Sequence, residues 1–152
     1  MSFRNGRQGE DLFPAGFGFR DIHAFLDWEV FDVMQIVYGG LMRVNEGVIA
    51  EAAERGLGMI IRGVVKKYKE NFDELFEQAE LPELCEPGES PQDFLIRFAL
   101  NHPGIGTMII GSKNSDHIAA NARAAAKGKL PDDVYAEAKQ RLDAAGIVVK
   151  KS

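Results

Sequence analysis

Three short apolar runs, each closed by glycine and each separated from the next by helical patterns, constrain this chain more than any other feature. Phe31 to Tyr38 ends at Gly39 and Gly40, Met59 to Arg62 ends at Gly63, and Thr107 to Ile110 ends at Gly111. The first is nearly all apolar, as strands buried on both faces of a parallel sheet are. Between the runs, Asn45 stands where it would cap a helix over 46–55, with Gly56 as the stop. A second helical stripe, Phe72, Leu75 and Phe76, falls within 68–79. Ser90, Pro91 and Asp93 form a strong helix start: a cap, a proline at the first helical position, and an acid three residues after the cap. That helix runs to about Asn101. Asn114 or Ser115 caps another that Gly128 ends, and Pro131 opens a last one reaching Ala145. A short helical pattern over 21–29 precedes the first strand. The order β-α-β-α-α-β-α-α is that of right-handed βαβ crossovers, hence parallel strands.

Length limits what such a sheet can become. The chain has 152 residues, which suits a single domain over 1–152 with a genuine core. A complete (β/α)8 barrel needs about 250 residues, so this cannot be one. Residues 1–19 hold Gly6, Gly9, Pro14, Gly16 and Gly18, and read as a loop-rich segment. The net charge of −5 offers no long-range attraction to nucleic acid or to an anionic membrane. No apolar run reaches the roughly 20 residues of a membrane span. The stretch from Met1 to Glu10 lacks the apolar core of a signal peptide. The expected compartment is therefore the cytoplasm. Cys85 is the only cysteine, and the carboxylate beside it would raise its pKa, so it reads as a structural thiol.

There is no dinucleotide or P-loop glycine motif, no metalloprotease motif and no cysteine pair. His23, His102 and His117 have no metal spacing. His23 and His102 read as structural or solvent-facing, and Lys66, Lys67 and Lys69 as a solvated loop. The strand ends carry more. In open α/β sheets and barrels, ligands meet the carboxyl ends of parallel strands. Those ends offer Gln35 and Tyr38, then Arg62 and Gly63, then Gly111, Ser112, Lys113 and Asn114. The third set precedes a helix, where N–H groups, the helix dipole, a hydroxyl and a lysine could hold a phosphate. Ser112 and Asn114 could equally serve only as caps.

Phe31 to Tyr38, Ala52 to Gly63 and Ser90 to Gly111 together resemble the C-terminal half of an aldo/keto reductase. Phe98 to Gly104, Met108 to Asn114 and the step Gly128-Lys129-Leu130-Pro131 are the most specific parts. The likeness spans about residues 20–146. It implies an α/β half of a TIM barrel whose strands correspond to the sixth, seventh and eighth, and a nicotinamide cofactor, NADP or NAD. By the same resemblance, Gln35 would lie near the carboxamide and Arg62 would stack on the nicotinamide ring. Gly63 and the loop after it would cover the pyrophosphate. Ser112, Lys113 and Asn114 would hold the adenosine phosphate, with His117 beside them, and Asn121 would face the adenine. Gly111 stands where many NADPH-using members have lysine, and His117 where they have arginine, so the choice of cofactor stays open.

The family's catalytic aspartate, tyrosine, lysine and histidine belong to the half of the barrel that this chain lacks, and the start at Met1 resembles the tail of the fifth strand. Tyr38, Tyr68 and Tyr135 stand in the wrong contexts to replace the tyrosine acid. Two readings follow. The chain is the cofactor-binding half of a reductase, inert alone, or it is a non-catalytic half-barrel that binds or assembles. In either case the bare strand edges favour a homo-oligomer, in the simplest form a dimer.

Overall fold

The computed structural model describes residues 19–65 and 72–147. The expected glycine-rich opening and the lysine cluster at 66–69 lie outside them. Helix α1 (Phe19–Asp27) leads into β1 (Val33–Val37), α2 (Glu46–Glu54) and β2 (Gly58–Arg62). Then come α3 (Phe72–Gln78), a 3-10 turn (Leu81–Leu84), α4 (Pro91–Leu100), β3 (Thr107–Ile109), α5 (Ser115–Ala126) and α6 (Asp132–Ala144). The three strands form one sheet in the order β1-β2-β3, parallel throughout. The predicted alternation is therefore present, and the helices between strands make the crossovers that parallel pairing requires.

Register divides the sheet into two faces that behave differently. Ile36, Ile61 and Met108 stand in one row across the three strands. With Tyr38 and Met59, this side packs on Ile49 of α2 and on Phe94, Leu95 and Phe98 of α4. The alternate rows are Gln35, Ile60 and Thr107, then Val37, Arg62 and Ile109. This second face is more open: Ile109 is 49% exposed, Gln35 and Thr107 are exposed, and Val33, Val37, Ile60 and Arg62 are partly buried. The sequence predicts a first strand buried on both sides, and the structure corrects that. The apolar count of β1 is as expected, but the described helices cover one face only.

Helix ends show where local rules held. Ser90 and Asp93 form the predicted capping box: the Asp93 N–H donates to Ser90 Oγ at 3.1 Å and the Ser90 N–H to the Asp93 carboxylate at 3.4 Å. Asn45 differs. It precedes α2 as expected but makes no side-chain cap. Its amide instead donates to the Val37 carbonyl at 2.8 Å, tying the start of α2 to the end of β1.

Two arginines pin distant segments together. Buried Arg43, in the loop after β1, donates to Glu46 at 2.7 Å and to Asp143 of α6 at 2.6 Å. It also reaches the Ile147 carbonyl at 3.3 Å, and Lys139 of α6 pairs with Glu46 as well. Burial disfavours the ionised Glu46, yet the bonds from Arg43 and Lys139 outweigh it and hold the carboxyl below its ordinary value. Arg97 of α4 bonds Glu86 and Glu89, each at 2.7 Å, and thereby fastens the loop before α4.

His23 and His102 are structural, as read. His23 faces Glu51 at 3.1 Å. His102 is buried, its Nε2 lies 3.1 Å from the Glu46 carbonyl, and its Nδ1 accepts the Gly104 N–H at 3.1 Å. That pair of bonds assigns the proton to Nε2. Cys85 is half-buried, and burial first, then the charge of Glu89, pushes its thiol up to about 11. The responsible carboxylate is therefore Glu89, not the adjacent Glu86 that the sequence suggests.

Candidate cofactor site

Gln35 and Arg62 share the open face on neighbouring strands. Gln35 pairs in register with Ile60, two residues before Arg62. Strand spacing and rise then put their Cα atoms about 8 Å apart. Val37 and Ile109 flank Arg62 in its row, the last before the carboxyl ends. At Gly63 the chain turns away with φ +78°, a conformation that glycine adopts without steric cost. Val64 then dips into the core. The stretch beyond Val65, where the resemblance puts part of the pyrophosphate cover, lies outside the described residues.

The third strand end leads directly into α5. Asn114 is its cap, accepting the Asp116 N–H at 2.8 Å, and Ser112 Oγ accepts the Asn114 N–H at 3.1 Å. Both side chains thus already serve the chain's own backbone. The helix dipole and the exposed Lys113 remain as anion-attracting features. Asp116, in the first turn, opposes them with its charge. Asn114, His117 and Asn121 follow one another along one side of α5, His117 exposed and Asn121 half-buried. A phosphate is compatible with this end of the sheet: the cation is exposed and the helix is three turns long. Gln35 and Arg62, which the resemblance assigns to the nicotinamide, stand on the same face of the sheet.

Tyr38 lies on the opposite side of the sheet. It is fully buried, its ring packs edge-on to His102 with centroids 5.2 Å apart, and burial pushes its phenol pKa upward. A hydroxyl enclosed in the helix layer cannot deliver a proton to the open face. Tyr135 is partly buried, its ring 4.9 Å from that of Phe98. The Tyr38, Tyr135, Lys139 and His102 group contains acid–base residue types, with Tyr38 and His102 buried and Tyr135 and Lys139 partly buried. Among the described residues, no group of three or more His, Cys, Asp or Glu could hold a metal. A cavity of about 330 Å3, lined by Phe25, Leu26, Glu29, Phe31, Arg55 and Leu57, lies near the start of β1, away from the strand ends.

A parallel sheet with helices on one face and a more open second face is the architecture of part of a (β/α)8 barrel. The sequence profile of the Aldo/keto reductase family matches residues 27–143, and the chain belongs to that family. No curated protein matches the sequence. Among solved structures it is similar to the holo form of aldo-keto reductase AKR11C1 from Bacillus halodurans, with TM-score 0.67 and 16% identity. That match covers 87% of this chain and 47% of the reductase. The apo form of the same protein gives TM-score 0.64 and 18% identity, over 87% and 50% of the two chains. The chain therefore spans about half the length of the reductase it matches, and its three strands are part of a (β/α)8 barrel.

Proposed function

We propose that this chain is the dinucleotide-binding half of an aldo/keto reductase and does not reduce carbonyls by itself. The observation that carries this reading is the placement of Gln35 and Arg62 on one open face, beside a strand that runs into the Ser112–Asn114 loop and the start of α5. When bound, the nicotinamide supplies a hydride to a carbonyl. The protein's part here is binding: Lys113 and the α5 N-terminus toward the adenosine phosphate, His117 and Asn121 along the adenosine, Gly63 at the turn, Gln35 and Arg62 toward the nicotinamide. Either NADP or NAD satisfies this set, because Gly111 and His117 omit the two cations that many NADPH-using members carry. The burial of Tyr38 in the core supports the reading that this tyrosine is not the proton donor.

Calorimetric titration with 2′,5′-ADP against 5′-AMP tests the reading. Binding at millimolar to high-micromolar affinity, about −4 to −6 kcal/mol, is expected. Lys113→Ala should weaken it by about 1 kcal/mol. Affinity unchanged by that substitution would reduce the loop to the cap that Ser112 and Asn114 already form. The purified chain should also leave NADPH unoxidised by small aldehydes beyond the buffer rate.

The more open sheet face supports a second reading that is compatible with the first: the half-barrel assembles with a partner surface, in the simplest case another copy of itself.

A further inference from the structure

His102 joins three segments just beyond the end of α4. Its Nε2 lies 3.1 Å from the Glu46 carbonyl oxygen at the start of α2, and its Nδ1 accepts the Gly104 N–H at 3.1 Å. Gly104 is buried against α2, where an added Cβ would stand 2.8 Å from the Ile49 carbonyl oxygen. Two residues on, the Gly106 N–H donates to the Met59 carbonyl of β2 at 3.0 Å, and β3 starts at Thr107. We propose that His102 is a proton-operated latch: a proton taken up at Nδ1 releases Gly104, and the 102–106 loop and β3 loosen from α2 and β2 while the rest of the core stays packed.

The two hydrogen bonds are of opposite sense. Glu46 presents a carbonyl, which only accepts, and Gly104 an N–H, which only donates. The ring therefore fits as the neutral tautomer with its proton on Nε2. In the charged ring both nitrogens are donors, and the Nδ1 proton would face the Gly104 N–H. His102 is 5% exposed and Gly104 is buried, so neither donor can turn to water unless the loop moves. The strand that this loop leads into is lightly held. β3 has three residues paired with β2, whereas β1 and β2 pair over five. It continues through Gly111 into the Ser112–Asn114 loop, so the strand end before α5 is loosened with it.

The groups around the ring come from three elements. Tyr38 of β1 meets it edge-on at 5.2 Å, with Tyr135 of α6 beside Tyr38. The Glu46 carboxylate of α2 favours a charged ring, and the Lys139 ammonium of α6 opposes it. Those two pair with each other, and Arg43 bonds Glu46 as well. Burial is the largest influence on the ring and disfavours its charge. The latch is therefore shut at neutral pH and opens as pH falls below the ordinary histidine value near 6.5.

The test is amide hydrogen exchange followed by nuclear magnetic resonance on the full chain, at about pH 7.5 and about pH 5, each with and without about 1 M urea. Protection at Gly104 and Gly106 should fall about tenfold between the two pH values, through an opening that urea leaves unchanged. Leu95 and Phe98, inside α4, should exchange through urea-sensitive unfolding at both. His102→Asn keeps an oxygen acceptor two residues before Gly104 but does not titrate, so it should abolish the pH response there. Protection at Gly104 and Gly106 that is equal at both pH values overturns the latch. So does a loss that occurs only through the urea-sensitive unfolding shared with Leu95, or a response that persists in His102→Asn. The wild-type urea comparison decides even where that variant does not fold.

Discussion

Arg43 and Asp143, a hundred residues apart in the chain, meet at 2.6 Å. Through this contact the loop that follows β1 holds α6, and the same guanidinium takes Glu46 at the start of α2. The site is buried on the arginine's side and open on that of Asp143. The two partners should therefore respond very differently to mutation. Arg43→Met should lower unfolding free energy by about 3 kcal/mol, because Glu46 is left in a buried site with Lys139 alone. Asp143→Asn should cost no more than about 1 kcal/mol. Urea denaturation of both variants checks the contrast, and equal losses would contradict it.

Acid should destabilise the fold in two stages. His102 has its pKa lowered, first by burial, so the folded state favours the neutral ring. Its contribution is complete above the unfolded value near 6.5 and declines as pH falls below that. Glu46 is also lowered, because the bonds from Arg43 and Lys139 outweigh its burial. Its contribution is complete above about 4.5 and declines as pH falls through the folded value. Melting temperature followed from pH 8 to pH 3 should drop through both windows, and Glu46→Gln should flatten the lower one selectively.

Cys85 should react slowly. A thiol raised from 9.0 to about 11 holds about 100-fold less thiolate at neutral pH. Alkylation by iodoacetamide, followed by mass spectrometry at this lone cysteine, should lag an unfolded control by a comparable factor and accelerate toward pH 11. Labelling at the rate of the unfolded chain would place the thiol in water.

Gly104→Ala should destabilise the protein by about 1–3 kcal/mol, since an added Cβ would stand 2.8 Å from the Ile49 carbonyl oxygen and 3.1 Å from the Ala53 Cβ. Gly111→Ala, with open space around it, is the control. Thermal melts that rank the two equally would mean that the backbone near Ile49 yields easily.

Patterns within a few residues were legible in the sequence, and long-range ones were not. Ser90 and Asp93 announce α4 because a capping box is complete within four residues. The strands announce themselves by apolar runs closed by Gly39, Gly63 and Gly111. Asn45 misleads because capping residues also bond elsewhere: the Val37 carbonyl, at the end of the neighbouring strand, takes its amide. The Arg43 cluster left no signature, since its partners on α6 lie far along the chain. The one-sided burial of β1 was also hidden, because an apolar strand looks the same whether its second face is covered or bare. Gln35, Arg62, Ser112 and Lys113 were named as candidates from their places near strand ends, and their roles from the family resemblance. The alternative use of Ser112 and Asn114 as caps, which the sequence also offered, is seen in the fold, where both side chains accept backbone N–H groups.

The segregation of the core to one side of the sheet sets different evolutionary rules for alternate residues of a single strand. Ile36 and Ile61 touch the packed helices, so a polar replacement there is removed by selection on folding itself. Val33, Val37 and Ile109 contribute little to that core. In a lineage where the chain acts alone they can drift toward polar residues at almost no cost. In one where another surface covers them they must stay apolar. The pattern of substitutions along β1, read position by position across natural variants, therefore records which of these two histories the half-barrel has lived through.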